Sequence, residues 1–433
     1  MVNICMYFQV HQPFRLRNYT VFDIGNNSIY FDAKKNEEIC RKVANKCYLP
    51  ANKIILDLIK QTNGRFRAAF SISGCALEQF HLYSPEVIQS FRELAKTGCV
   101  EFLSETYYHS LAYLHSKEEF VKQIDIHKNA MLKIFGHCPK IFRNTELIFN
   151  NELAKFIESL GYTAILAEGA DHILNGRSPN FICSANYNDT DNNNTNFSNK
   201  IKVLLKNYKL SDDIAFRFSN REWKEWPLTA EKYASWINNI NGNGEVINLF
   251  MDYETFGEHQ WESTGIFEFL KQMPIEILKH PDNSFMLPSE IAAKHEIKDT
   301  IDVHNFISWA DIERDLSAWL GNQIQRSAFQ ELYLLEKDII AADDKRLIHD
   351  WRKLQTSDHF YYMCTKWFED GDVHKYFNPY ESPYDAFITF MNILKDIKIR
   401  IRKANENNLR EKDINENKKN IDESEENNKE III

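Results

Sequence analysis

Short apolar runs alternate with helical patterns between residues 3 and 252, and this alternation limits the folds open to the chain. The runs predict strands over residues 3–10, 66–73, 99–103, 140–144, 163–167, 214–218 and 246–252. Helical patterns are found over residues 36–62, 84–97, 117–135, 151–160 and 229–240. Strands that alternate with helices favour a parallel sheet with helical crossovers, so we predict an α/β fold.

One predicted strand ends in a cluster of ionisable side chains. Residues 246–251 are almost all apolar, as expected of a strand buried on both faces. Asp252, Glu254, Glu258 and His259 follow directly. Acidic residues after a strand often only cap the next helix, but three carboxylates and an imidazole exceed what one cap needs. The segment therefore indicates a functional site.

Two other strands end in a similar way. Glu146 follows the apolar residues 139–142, and His11 follows the strand at residues 3–10. In a barrel of parallel strands, the side chains at the carboxyl ends converge on one mouth. Taken alone, Glu146 could be a surface carboxylate paired with Arg143, and His11 a half-buried structural histidine. Together with Asp252 they indicate paired carboxylates, which hydrolysis of a glycosidic bond requires.

The strand at residues 99–103 leads into a fourth group of polar side chains. Glu105 and His109 follow it and could face the same mouth. The alternative interpretation is that Glu105 only caps or pairs locally. The two interpretations stay open at this point.

These segments closely resemble glycoside hydrolase family 57, in particular its α-amylases and α-amylase-like proteins. The resemblance covers most of residues 1–400 and implies a barrel of seven parallel strands, (β/α)7, followed by a helical region. Five short motifs carry it, namely His11-Gln12-Pro13, Ser73-Gly74-Cys75-Ala76-Leu77-Glu78, Asn144-Thr145-Glu146, Asp252-Tyr253-Glu254-Thr255-Phe256-Gly257 and residues 355–362. One departure is at residue 143, where many relatives have Trp and this chain has Arg143.

The resemblance implies a retaining double displacement on α-glucans. Glu146 matches the nucleophile of the family and Asp252 its general acid/base. Retention requires the two carboxyl groups to lie about 5 to 5.5 Å apart. No metal or other cofactor is expected. The residues expected to bind substrate are His11, Gln12, Glu78, His109, Glu254, His259, Trp261, Asp358 and His359.

The predicted domains follow the composition of the chain. Residues 1–300 are expected to form the catalytic barrel, with an Asn-rich loop at 186–199. Residues 301–403 are expected to form a helical region that contributes Asp358 and His359 to the site. Residues 404–433 are rich in Asn, Glu and Lys, so we predict a disordered tail.

Charge and cysteine usage bear on partners and location. The net charge of −10 argues against nucleic acid, because phosphate binding needs clustered Lys and Arg. No apolar run approaches the length of a membrane span, so no membrane partner is expected. The eight cysteines include no CxxC pair, which favours reduced thiols and a cytoplasmic location. The expected partner is an α-glucan.

Other functions remain open at this stage. A 4-α-glucanotransferase or a glucan branching enzyme would use the same catalytic pair as an α-amylase, because acceptor choice depends on loops. A non-catalytic glucan-binding protein is a further alternative, although both acids are present. A metal-dependent polysaccharide deacetylase would use ligands such as His11, His109, Asp252 and His259, but no paired His at i and i+4 is found.

Overall fold

The computed structural model describes residues 2–187, 200–366 and 378–430. Its strands are β1 Val2–Val10, β2 Ala68–Ile72, β3 Val100–Phe102, β4 Ile141–Arg143, β5 Ala164–Glu168, β6 Cys183–Ala185, β7 Lys202–Lys206, β8 Val246–Asp252, β9 Asn283–Phe285 and β10 Asp299–Ile301. The predicted Asn-rich loop at 186–199 lies almost entirely outside the described residues.

The helices occupy the intervals between strands and then the carboxyl-terminal region. In the first part of the chain they are α1 Ala33–Val43, α2 Leu49–Gln61, α3 Gly74–Tyr83, α4 Pro85–Ala95, α5 Lys117–Phe135, α6 Asn151–Ser159, α7 Asp171–Leu174, α8 Tyr208–Ala215, α9 Ala230–Asn238, α10 Ile266–Leu278 and α11 Pro288–Lys294. The later helices are α12 Ser317–Leu320, α13 Gln323–Tyr333, α14 Glu336–Ala342, α15 Lys345–Lys353, α16 Ser357–Tyr361 and α17 Pro383–Glu430.

Seven of the strands form a ring. The parallel pairs are β1–β2, β2–β3, β4–β5, β5–β7, β7–β8 and β8–β1. A parallel bridge between Ser104 and Phe142 joins the end of β3 to β4 and completes the ring. The predicted α/β fold, a (β/α)7 barrel of parallel strands followed by a helical region, is confirmed.

Two apolar layers hold the barrel together, and the pleat of each strand divides its residues between them. In β1, Ile4, Met6 and Phe8 pack in an outer core with helices such as α2 and α10. Cys5 and Tyr7 belong to an inner core inside the ring. Because side chains alternate between the two faces of a strand, both faces of β1 are buried. This explains why residues 4–8 of the strand form an unbroken apolar run.

The chain divides into two compact units. The first contains residues 1–14 and 33–318 and includes the barrel. The second contains residues 15–32 and 319–433. The predicted boundary lies at residue 300, whereas residues 301–318 belong to the first compact unit. The hydrogen bonds of Trp309 to Glu146 explain this grouping, because they anchor the segment beside β4.

The second unit is built from helices with a short amino-terminal segment packed among them. Asp396 of α17 accepts hydrogen bonds from the Gly25 backbone and from the Tyr30 hydroxyl. Trp351 of α15 is fully buried and donates its indole N–H to the Leu332 carbonyl. The buried apolar side chains of α13, α15 and α17 supply the core of this unit.

Two predictions differ from the observed elements. Residues 214–218 were predicted as a strand, which is wrong, because helix α8 runs to Ala215 and the strand lies earlier as β7. The Asn207 side chain caps α8 by accepting from the Leu210 N–H. At the other end of the chain, α17 continues to Glu430, whereas a disordered tail was predicted from residue 404. Residues 404–430 contain no Gly or Pro that would end the helix.

Candidate active site

The inward-facing side of the barrel strands becomes polar at their carboxyl ends. In five strands, β1, β4, β5, β7 and β8, a polar side chain lies two positions after the last residue of the inner core. These side chains are Gln9, Arg143, Glu168, Lys206 and Asp252. Since alternate residues of a strand share a face, these side chains also point inward. They lie at the end of the barrel where the apolar inner core stops. The barrel therefore carries its charged groups at one mouth, where parallel barrels hold their active sites.

Glu146 lies just after β4, in a short 3-10 turn over Thr145–Leu147. Its backbone has φ 59°, a left-handed conformation that costs a non-glycine residue about 1–3 kcal/mol. Each carboxylate oxygen faces a donor group. The Trp309 indole N–H donates to Oε2 at 2.8 Å, and Nε2 of His109 lies 3.5 Å from Oε1. The carboxylate is thus held in place from two sides.

Asp252 ends β8 and is in a different environment. Within the described part of the chain, no donor lies at hydrogen-bonding distance of its carboxylate. Burial and the nearby Glu146 carboxylate raise the pKa of Asp252 from 3.8 to about 6, against the lowering effect of Arg143, His109 and Lys206. Asp252 therefore holds a proton more readily than an ordinary aspartate, which suits a proton donor.

His109 lies between two carboxylates. Its Nδ1 is 2.8 Å from Oε2 of Glu105, and its Nε2 faces Glu146. Burial lowers the pKa of His109, but the hydrogen bonds to Glu105 and Glu146 outweigh it and bring the pKa to about 9. Burial tends to raise the pKa of Glu105, yet the contact with His109 outweighs this and lowers it to about 2. The Gln9 amide donates to the other oxygen of Glu105 at 3.1 Å.

His11 follows β1 and stacks on His109. The two rings are 4.0 Å apart and inclined by 19°. Nδ1 of His11 is 2.6 Å from the Ser73 hydroxyl, and its backbone N–H donates to Glu254 at 3.4 Å. The predicted convergence of the segments after β1, β3 and β4 on one place is thus visible in these contacts.

Glu254 is held behind the site by a tyrosine. The Tyr48 hydroxyl donates a hydrogen bond to Glu254 and accepts one from the Gln12 amide at 3.1 Å. Burial and the carboxylate of Asp252 raise the pKa of Glu254 to about 8. Tyr48 closes a π-helical turn, Ala44–Tyr48, between α1 and α2. Such turns widen a helix locally and are frequent at functional sites.

Gly257 and Gly74 have steric reasons to be glycine. Gly257 has φ 113°, and a Cβ there would lie 1.9 Å from the Lys46 carbonyl oxygen. A Cβ on Gly74 would lie 2.3 Å from the ring of Tyr107. Both positions therefore let neighbouring segments pack closely beside the site. The predicted site residue Glu78, on the same helix as Gly74, hydrogen-bonds Tyr107 and raises its pKa, although burial contributes more to that shift.

The sequence did not indicate that Arg143 and Lys206 both act on Asp252. Arg143 is fully buried, and none of its three guanidinium nitrogens has a hydrogen-bond partner among the described residues. Its guanidinium lies 4.8 Å from the centre of the Trp309 ring. Lys206 pairs with Asp212 at 2.9 Å and lies 5.6 Å from the same ring. Trp309 itself stood in no motif, so nothing in the sequence pointed to it.

Four further residues were predicted from the sequence as part of the site, namely Trp261, His259, Asp358 and His359. Trp261 is 59% exposed, with the Lys46 ammonium 5.6 Å from its ring centre. His259 is in the segment after Asp252, and burial lowers its pKa to about 4. Asp358 and His359 belong to the second unit, at the start of α16. Roles in substrate binding stay predictions for all of these residues.

Three other properties bear on function. Among the described residues, no three His, Cys, Asp or Glu side chains are grouped as metal ligands. No helix in the same part of the chain combines the length and apolar character of a membrane crossing. All eight cysteines are unbridged, and Cys138 alone among them is exposed.

A parallel barrel with two carboxylates at its mouth is an arrangement found in glycoside-cleaving enzymes. The family model for Glycosyl hydrolase family 57 matches residues 5–304. A protein of Methanocaldococcus jannaschii named "Putative alpha-amylase" is 45% identical over 408 residues, which is 91% of this chain and 84% of that protein. The chain belongs to glycosyl hydrolase family 57. This membership places the protein among the glycoside hydrolases.

Solved structures agree with the fold. The branching enzyme of this family from Pyrococcus horikoshii matches with a TM-score of 0.63 at 13% identity, over 87% of each chain. The 4-alpha-glucanotransferase from Thermococcus litoralis matches with a TM-score of 0.60 at 18% identity, over 83% of this chain. This chain spans 56% of the length of that transferase. At these identities the likeness concerns the fold and leaves the reaction open.

Proposed function

We propose that the protein cleaves α-1,4-glucosidic bonds in glycogen- or starch-type glucans by a retaining double displacement, as an α-amylase does. The observation that carries the proposal is the contrast between its two acids. Glu146 accepts a hydrogen bond from Trp309 and faces the His109 ring, whereas burial and the Glu146 carboxylate raise the pKa of Asp252 to about 6. A retaining glycosidase needs one carboxylate that stays ionised and one that carries a proton.

In the first step, the ionised Glu146 attacks the anomeric carbon of the glucose unit bound before the scissile bond. Asp252 gives its proton to the glycosidic oxygen, which leaves with the remainder of the glucan. A covalent glycosyl ester on Glu146 results. Trp309 and His109 hold the attacking carboxylate in one orientation, which limits the entropy lost on reaching the transition state.

In the second step, the ionised Asp252 removes a proton from water, and the resulting hydroxide equivalent attacks the anomeric carbon. The bond to Glu146 breaks and the carboxylate is restored. Because each step inverts the anomeric centre, the product keeps the α configuration of the substrate. The pKa of about 6 allows Asp252 to act as an acid and then as a base near neutral pH.

Several side chains are proposed to bind the glucan. His11 borders the site beside His109, and exposed Trp261 offers an aromatic face to a sugar ring. Gln12, Glu78, Glu254, His259, Asp358 and His359 are proposed in the same role from the family resemblance. We also propose a cytoplasmic location, which the unbridged cysteines support.

A transferase is the second candidate, because the chain has the same fold as a 4-alpha-glucanotransferase and a branching enzyme. Incubation of the purified protein with maltoheptaose separates the candidates. Hydrolysis yields only shorter products, and proton NMR during the first minutes detects the α-anomer before mutarotation. Longer products would identify a transferase, and new α-1,6 linkages a branching enzyme. A β-anomer as first product would contradict the retaining mechanism, and no turnover beyond that of Glu146→Gln would contradict the enzymatic proposal.

A further inference from the structure

Resting on the proposed function, we propose that Glu105 and His109 form a positioning pair for Glu146. The Glu105 carboxylate fixes His109 as an imidazolium, and the Nε2–H of that imidazolium keeps the Glu146 carboxylate ionised and oriented. From its position after a predicted strand, His109 is expected to bind substrate. The contacts instead assign it to the nucleophile, so it acts on the reaction through Glu146.

The first argument is the geometry of the two ring nitrogens. Nδ1 faces a Glu105 oxygen at 2.8 Å, and Nε2 faces a Glu146 oxygen at 3.5 Å. An ionised carboxylate only accepts hydrogen bonds, and a neutral imidazole has only one N–H. With both carboxylates ionised, both contacts are attractive together only if both nitrogens carry protons. The arrangement therefore favours the imidazolium, with one positive charge between two negative ones.

The second argument is that the ring has no room to turn away. His109 is 2% exposed, and the His11 ring covers one of its faces at 4.0 Å. Its backbone has φ 50°, an unfavourable conformation for a residue with a side chain. Such strain persists where surrounding contacts enforce it and is concentrated at functional sites. Glu146, its partner, has the same kind of backbone conformation.

The third argument concerns the anchor of the pair. Glu105 is fully buried and accepts a hydrogen bond from the Gln9 amide at 3.1 Å on the oxygen that His109 does not use. Its backbone N–H faces Nδ1 of His127 at 3.5 Å. A buried carboxylate is costly unless its oxygens have partners, and here both have one. The charge of Glu105 is thus fixed in place before substrate arrives.

Other charged groups act on the pair and do not reverse this result. Burial and the Arg143 guanidinium lower the pKa of His109, because both disfavour a charged ring. The two carboxylates outweigh them, so the pKa of His109 lies near 9. The charged or titratable groups that face His109 or Glu105 from the neighbouring strands, loops and helices are His11, His127, Arg143, Glu146, Asp252 and Tyr7.

The test compares the pH dependence of kcat/KM on maltoheptaose for the wild type and Glu105→Gln between pH 3.5 and 8. Without the Glu105 charge, His109 loses its second proton at neutral pH and Glu146 loses its cationic neighbour. We expect the acid limb to move up by about one pH unit, because a nearby opposite charge shifts a carboxylate pKa by about 1 to 3 units. A uniform loss of kcat/KM at every pH, with the limb unmoved, would overturn the proposal.

Two further variants separate this role from a structural one. Glu101→Gln is the matched control, because Glu101 is an equally buried glutamate on β3 that bonds the Ser289 backbone instead. It should leave the acid limb in place. His109→Gln keeps a neutral amide donor and should move the limb as Glu105→Gln does. An unmoved limb in a folded His109→Gln protein would also contradict the pair.

A measurement without turnover keeps this proposal distinct from the proposed function. Nitrogen-15 NMR of labelled histidines, with the His109 signals assigned from His109→Gln, reports whether both ring nitrogens are protonated. We expect two protons on His109 at pH 7.5 in the wild type and one in Glu105→Gln. A neutral ring in the wild type would overturn the pair. If the NMR result holds while maltoheptaose is never cleaved, the pair stands and the proposed function fails.

Discussion

Glu146 after β4 and Asp252 at the end of β8 carry the same chemical group at the same mouth, yet the barrel treats them in opposite ways. Glu146 receives an indole N–H and faces an imidazole, so its charge is compensated. Asp252 has no hydrogen-bond donor among the described residues and is penalised by burial and by Glu146. Donor groups surround one acid, whereas the surroundings of the other favour its protonated form.

This difference teaches that environment assigns the roles of two carboxylates. Charged groups whose surroundings push their pKa values apart are the usual basis for acid and base assignments in enzymes. The contrast between the two acids can be tested by removing each carboxylate in turn and measuring the reaction that remains.

Removal of the proposed nucleophile should have the largest effect. In Glu146→Ala we expect kcat on maltoheptaose to fall by about 10⁴-fold or more, because no covalent intermediate can form. Added azide should restore turnover by occupying the space of the lost carboxylate. Since azide then attacks in a single inverting step, the product should be a β-glycosyl azide, identified by NMR. Glucan binding, measured by affinity electrophoresis, should persist.

The matched experiment on Asp252 should give the opposite stereochemistry. In Asp252→Ala, azide can attack only after Glu146 has formed the glycosyl ester, so an α-glycosyl azide is expected. The same anomer from both variants would break the comparison between the two acids.

Removal of the proposed proton donor should have the next largest effect. In Asp252→Asn we expect a loss of about 10²- to 10⁴-fold on maltoheptaose, the usual contribution of general acid catalysis. The first step on an aryl maltoside with an acidic phenol should be nearly unaffected, because that leaving group needs no proton. Stopped-flow release of the phenol measures this step. Equal losses on both substrates would mean that Asp252 is not the acid.

In the wild type, the same role sets the alkaline side of the pH profile. Asp252 must be protonated to donate, so kcat/KM on maltoheptaose should fall as the pH rises through about 6. With the aryl maltoside this fall should be weaker.

Much of the barrel could be predicted because its strands are buried on both faces. Such strands are nearly continuous apolar runs, and β1 and β8 were found from that pattern. β7 was missed because lysines stand at both of its ends, and Lys206 is buried only by virtue of its partners Glu168 and Asp212. Glu168 is the last residue of β5 and Asp212 lies within α8, so the local sequence of β7 does not reveal these partners.

The site could be predicted only in part for a related reason. Alternation along a strand indicates which residues share a face, but a strand that is apolar on both faces does not show which face is inside. Glu146 and Asp252 were chosen from the ends of strands and from family motifs. Trp309 could not be, since it reaches Glu146 across 163 positions of sequence. For Glu105 and His109, the sequence left a local pair and a role at the mouth equally open.

The smallest effect expected from the comparison is on stability. The pKa of Asp252 is about 6 in the folded protein, above its ordinary value of 3.8, so its ionisation favours unfolding. The stability that protonated Asp252 contributes is fully present below pH 3.8 and is lost as the pH rises through 6. Asp252→Asn removes this penalty, and we expect its Tm to exceed that of the wild type by about 2–4 °C at pH 8.

For Glu146, the change in Tm on substitution should have the opposite sign. Glu146→Gln leaves the imidazolium of His109 with one carboxylate instead of two, so its Tm should fall below that of the wild type at pH 8. Differential scanning calorimetry at pH 4 and pH 8 measures both changes. For Asp252→Asn the gain should shrink at pH 4, where the wild-type carboxyl is protonated. A gain of equal size at both pH values would show that burial of charge is not its cause, and Asp252 would then differ from Glu146 in packing instead of in protonation.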